Sequence, residues 1–232
     1  MFGKAIRFVR GLVRGKESNP PNHEALIPRK PGVQVVVPIG DAWVSAASVA
    51  PAQLLDHYLD WQTSDADVLA AAIWVHADDQ AWNRPEDSED FFHIQFWLSA
   101  MTALLEGESS QDIWAWEESG MQAVRRGDLV ILEERTHHVQ ARLPPVCFEL
   151  QHFARKLAEA SRGAVDLLSG MKKVADERRP MLDEAMSARF QPSALPTSAE
   201  VRANRIKRVL EYLPGDELAA ARKKLAAKVG MT

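Results

Sequence analysis

Asp-Leu-Val-Ile-Leu-Glu-Glu-Arg-Thr-His-His-Val-Gln-Ala-Arg-Leu, residues 128–143, can be read two ways, and the choice decides the fold class. As a strand, Leu129-Val130-Ile131-Leu132 is a short apolar run. As a helix, Leu129, Leu132, Thr136, Val139 and Leu143 keep steps of three and four, with Glu, Arg and Gln between them. That spacing favours the helix.

Downstream, beyond Pro144-Pro145, the residues Leu150, Phe153, Leu157, Ala160, Ala164, Leu167, Met171 and Val174 alternate steps of three and four. Such a heptad seam predicts a long helix over 146–179. The seam fails at Arg178, and Pro180 marks a kink into 181–190. The seam can pack inside its own domain, form a helical hairpin, or pair with another copy as a coiled coil. QPSALP (191–196) reads as a linker, and Thr197 with Glu200 forms a capping box. Ile206, Val209, Leu210 and Leu213 then make an apolar stripe. Pro214-Gly215 turns the chain into a last helix presenting Leu218, Ala221, Leu225 and Val229, so the end reads as a helical hairpin.

Upstream, helices are expected over 50–62, over 65–77 with Ser64 as cap, from Pro85 to Leu105 with Gly107 at the C-terminus, and from Ser109 to Gly127. The best strand candidate is Val33-Gln34-Val35-Val36-Val37, stopped by Pro38 and Gly40. The expected fold is therefore mainly α, with at most a minor β element. Three parts follow: a basic amphipathic arm with a Pro-rich linker (1–40), an acidic Trp-rich helical core with the long helix 146–190 (41–190), and a linker with a basic helical hairpin (191–232).

The charge is unevenly distributed. The net formal charge of −4 over 232 residues resolves into +5 for residues 1–40, −15 for 41–120, +2 for 121–196 and +4 for 197–232. All seven tryptophans (43, 61, 74, 82, 97, 114 and 116) fall in the acidic stretch. Most read as core, the rest as interface anchors. An acidic surface argues against contact between this stretch and nucleic-acid phosphates. A single cysteine, Cys147, allows no internal disulfide and fits a reducing compartment. The first residues lack the apolar run of a secretory signal, and no segment approaches the ~18 apolar residues of a membrane span. The expected location is the cytoplasm, with the inner membrane face as an attachment surface.

Residues 2–14 carry the most specific functional signal. On a helix, Phe2, Ala5, Ile6, Val9, Leu12 and Val13 share one face, while Lys4, Arg7, Arg10 and Arg14 take the other and no acid interrupts them. Such a helix lies in an anionic membrane interface or docks on protein, here against the acidic middle. An acid-poor, Arg-containing start also fits a transit peptide.

Other chemistry is more weakly signalled. Glu149-x-x-His152 has the spacing of di-iron carboxylate bundles, and Asp90-x-x-His93 is its aspartate analogue; on helices, residues three apart share a face. His76-Ala77-Asp78-Asp79 is acidic enough for a hard cation but lacks the calcium-loop spacing. Cys147 has no protease signature around it, and no nucleophile elbow or phosphate loop is present. Arg205, Arg208, Lys223, Lys224 and Lys228 lie on the last two helices and could contact phosphates, or form only their solvated face.

The leading expectation is a non-enzymatic assembly or adaptor protein without a cofactor. It would dock on a membrane surface, a protein partner or further copies of itself through residues 2–14 and the heptad seam. A helical-bundle metalloprotein holding a di-metal site and a nucleic-acid-binding protein are the alternatives.

Overall fold

A computed structural model describes residues 26–60, 70–83, 91–115, 119–136, 143–187 and 198–231. In chain order the elements are β1 (Pro31–Ile39), β2 (Ala42–Ser45), a 3-10 turn (Ala46–Ser48), α1 (Pro51–Asp60), β3 (Ala72–Ala77), β4 (Gln80–Ala81) and α2 (Phe91–Glu106). They continue with β5 (Ser110–Ala115), β6 (Ser119–Arg126), β7 (Leu129–Thr136), β8 (Val146–Glu149), α3 (Leu150–Ser187), α4 (Ser198–Tyr212) and α5 (Gly215–Lys228).

This corrects the expected fold class. The description all-α, or mainly α with a minor β element, does not hold: of the described residues 54% are in helix and 29% in strand, and the strands form two four-stranded antiparallel sheets. The sheet orders are β2-β1-β3-β4 and β5-β6-β7-β8. Residues 72–77, 110–115, 119–126, 129–136 and 146–149, all expected in helices, are strands.

Three two-residue turns set the registers. Gly40-Asp41 joins β1 to β2 and Gly127-Asp128 joins β6 to β7, each with its glycine in the left-handed region at φ near +60°. A first turn residue with positive φ matches the twist of the strands it joins. Gly127 thus closes a hairpin rather than a helix. Asp78-Asp79 joins β3 to β4 with both aspartates at positive φ (50° and 66°), a conformation that Asp tolerates better than most residues. The Asp78 carboxylate accepts hydrogen bonds from the Lys30 backbone N–H (2.8 Å) and from Arg29 Nη1 (2.9 Å), which fastens this turn to the lead-in of β1.

The core lies between the sheets and the helices. Alternate residues of one sheet, Val35, Val37, Ile73 and Val75, face inward and are at most 2% exposed. From the other sheet come Ile113, Met121, Ala123, Val130, Leu132 and Phe148. The two sheets meet at the edge of β8, where the Arg29 N–H donates to Cys147 O (2.8 Å). Trp82 adds a second tie by donating its indole N–H to Pro144 O (2.7 Å). Beyond the short β4, the buried Asn83 side chain replaces a strand partner: its Nδ2 donates to Ile73 O and its Oδ1 accepts from Val75 N, both at 2.7 Å.

α3 packs on β1 and on every other long helix. The eight seam residues are buried or half-buried against the chain's own core. Ala154, Ala158, Ser161, Leu168 and Ala175 are buried beside them, so the seam widens into a band. A band of that width belongs to a core-facing helix, whereas a two-stranded coiled coil needs only the narrow seam. Pro180 lies inside α3, which continues to Ser187. α4 and α5 pack on α3, and α5 also packs on α2, burying Ile206, Val209, Leu218, Leu225 and Val229.

Two glycines let the 3-10 turn and the start of α1 lie directly on α3. A Cβ added at Gly163 would stand 2.7 Å from Ala47 Cβ and 2.9 Å from its backbone, and one at Gly170 would collide with Pro51 Cγ. Replacing Gly163 by Val therefore forces backbone apart, at a cost of about 1–3 kcal/mol. The expected outcome is a melting temperature lower by roughly 2–10 °C; an unchanged melting temperature would show that the helix and the 3-10 turn do not pack this closely.

Candidate functional site

The described surface offers an aromatic patch, an open groove and several basic side chains. The aromatic patch is on α2. The sequence of this helix, FFHIQFWLSAMTALLE, is apolar almost all round. A helix of that kind is normally enclosed. Phe91, Ile94, Trp97, Leu98, Met101 and Leu104 are enclosed, but Phe92 and Phe96 are 45% and 47% exposed. They are four residues apart and so share one side of the helix. The half-buried His93 ring meets Phe96 edge-on at 6.0 Å. Among the described residues the one other large exposed apolar side chain is Ile27.

The groove, of about 340 Å³, runs between the 3-10 turn, the start of α1 and α3. Ala46, Ala47 and Gly163 line it, and Glu159, Arg162 and Asp166 form a charged rim. Arg162 and Asp166 are more than two-thirds exposed and stand 3.9 Å apart, a weak surface pair.

The basic residues assigned to phosphate contact are largely engaged in helix packing. Arg205 donates to Tyr58 O (3.0 Å) and Leu59 O (3.1 Å), carbonyls of the last turn of α1, and its guanidinium lies 5.8 Å from the Tyr58 ring centre. Burial raises the Tyr58 pKa, and the positive charges of Arg208 and Arg205 oppose that shift. Lys224 and Lys228 reach Glu106 at the end of α2, at 3.3 and 3.1 Å. They hold its carboxyl below the usual range, Lys228 most strongly. Arg208 and Lys223 are exposed.

The metal candidates do not share one helix. Glu149 is the exposed last residue of β8 and His152 is in the first turn of α3, so the argument from helical spacing does not apply to this pair. His93 is on α2, while Asp90 lies outside the described residues. Among the described residues no group of three or more His, Cys, Asp or Glu side chains could hold a metal ion. The acidic His76–Asp79 stretch is the β3–β4 hairpin turn, and Asp78 is bound by Lys30 and Arg29. Cys147 is 1% exposed in β8, and burial pushes its thiol pKa up, away from the reactive thiolate.

The arm residues Phe2, Lys4, Ile6, Arg7, Val9, Arg10, Val13 and Arg14 lie outside the described residues, as do Trp61 and Trp116. Of the other tryptophans, Trp97 and Trp82 are buried, and Trp43 and Trp74 are half-buried. The sequence analysis does not single out the exposed Phe92–Phe96 pair; the unbroken apolar composition of the helix is the available signal. No helix among the described residues is long and apolar enough to cross a membrane. Comparison with protein-family models, curated proteins and solved structures gives no match.

Two carboxylates give the domain a readable pH dependence. Asp78 is held below the usual range by the Lys30 N–H and then by Arg29, and Glu106 by its two lysines. A depressed folded pKa contributes stability that is complete above the ordinary carboxylate pKa near 4 and is lost as pH falls through the folded value. Melting temperatures measured from about pH 5 down to about pH 2 should fall less steeply for Asp78→Asn/Glu106→Gln than for the unaltered protein. Equal slopes would contradict the assignment of these two groups.

Proposed function

We propose that the protein is a non-enzymatic assembly or adaptor protein that docks on an anionic membrane surface, or on a larger complex, through residues 2–14. One observation carries this reading: the separation of Phe2, Ile6, Val9 and Val13 from Lys4, Arg7, Arg10 and Arg14, with no acid among them. Four cations near an anionic surface contribute on the order of 4 kcal/mol, and burial of the apolar face adds to it. The described domain supplies a firm point of attachment for that arm. Arg29 is fixed by its backbone bond to β8 and by Asp78, so whatever surface holds residues 2–14 also holds the folded domain.

The remaining features fit a carrier domain. α3 faces its own core, and three of the five basic residues proposed for phosphate contact hold helices together. Neither arrangement favours the metalloprotein or the nucleic-acid reading.

Vesicle flotation tests the proposal. The intact protein should float with anionic vesicles at low salt and much less at high salt, where surface charge is screened. It should not float with neutral vesicles, and a form lacking residues 1–16 should not float with either. Equal flotation of the two forms would assign the attachment elsewhere.

A further inference from the structure

α2 leaves two phenylalanines nearly half exposed on one side, and each could bury considerably more apolar area against a helix laid across them. The chain itself contains a segment of matching chemistry. On a helical wheel the sequence of residues 2–14 places Phe2, Ile6, Val9 and Val13 together and four cations opposite them. The residues immediately before α2 are strongly acidic: Glu86, Asp87, Glu89 and Asp90 lie within five positions. An apolar stripe flanked by cations is complementary to an apolar pair whose sequence neighbours are acids.

Reach favours the same chain over a second copy. The described chain begins beside β8, at Leu26–Arg29, and residues 15–25 connect it to the arm. Eleven extended residues span about 36–40 Å. A domain of this size is roughly 40 Å across, so the connector can bring the arm to any part of the near surface. A short tether also holds the arm at an effective concentration near the millimolar range, above that of a separate copy in dilute solution.

We infer that the exposed Phe92–Phe96 face of α2 is the docking surface for residues 2–14 of the same chain. The inference is independent of the membrane reading, but it adds a consequence to it. The apolar face of the arm can lie on α2 or in a lipid interface, not in both, so the two destinations compete.

Intrachain cross-linking of the full-length protein tests it. One cysteine replaces Gly11 in the arm, and a second replaces either Ser99, exposed on α2 three residues from Phe96, or Lys173, exposed on α3. The native Cys147 is buried and does not compete for reagent. With a short bismaleimide, the Ser99→Cys protein should form a monomeric cross-linked product on the order of tenfold faster than the Lys173→Cys protein, reflecting local concentration. Adding Phe92→Ser and Phe96→Ser should remove that advantage. Both rings are exposed, so the altered protein should fold, which circular dichroism checks. Equal rates at the two positions, a rate unaffected by the serine substitutions, or a product formed only between chains would overturn the inference. Flotation of Phe92→Ser/Phe96→Ser separates the two ideas. Where both hold, it binds anionic vesicles several-fold more than the intact protein. Specific cross-linking without flotation of either form would retain the docking surface and remove the membrane.

Discussion

Phe148 lies in β8 and Phe153 in the first turn of α3, and their rings stack 5.0 Å apart at 19°. No loop separates the strand from the helix: β8 ends at Glu149 and α3 begins at Leu150, whose N–H donates to Asp128 O in the β6–β7 turn (2.8 Å). Trp97 of α2 also lies against Phe153, with ring centres 6.3 Å apart and the planes tilted by 39°. All three rings are fully buried, and burial of each large apolar side chain contributes about 1.5–3 kcal/mol. This junction fixes the direction in which α3 leaves the sheet. The placement of the first sheet, α1, α4 and α5 follows from it, because each packs on that helix or on an element that does.

Arginine completes the assembly by meeting backbone carbonyls. Arg205 donates to Tyr58 O and Leu59 O at the end of α1, Arg125 to Leu104 O at the end of α2, and Arg155 to Val229 O just after α5. Carbonyls at the end of a helix have no partner within it and carry its partial negative charge, so a guanidinium satisfies both needs. Arg222 of α5 donates to Ala158 O of α3, so α3 and α5 each send an arginine to the other side of their contact. A basic C-terminal region consequently packs on the core, although its residue types alone resemble a phosphate-binding face.

The sequence signals differed in how well they specified local structure. The apolar run of β1 was legible because Val33–Val37 stands between turn formers. The helix bodies of α1, α2, α3, α4 and α5 were legible because their periodicities run long. The second sheet was not. Ile131 and Cys147 are buried on its outer face while Val130, Leu132 and Phe148 are buried on its inner face, so β7 and β8 lack the alternation that marks a half-exposed strand. The steps from Leu129 to Leu143 then imitated a helix. The better signal was the Gly-Asp pair at 127–128, a hairpin turn that repeats the one at 40–41. In α3, Ala154, Ala158, Leu168 and Ala175 already widened the apolar stripe beyond a coiled-coil seam. Glu149 and His152 kept their spacing in the sequence, but a strand-to-helix boundary falls between them, and no periodicity reveals that boundary.

The domain is a unit organised around one helix, with the aromatic face of α2 at its surface. Native-state hydrogen exchange tests that most directly. The account predicts that amides of α3 between Phe153 and Met171, of β1 at Val35–Val37, of β7 at Val130–Leu132 and of α5 near Leu218–Leu225 share a single, highest opening free energy, as one cooperative unit must. Exchange of α3 at markedly lower free energy, with both sheets still protected, would contradict it, because the sheets would then be stable without the helix that is taken to join them.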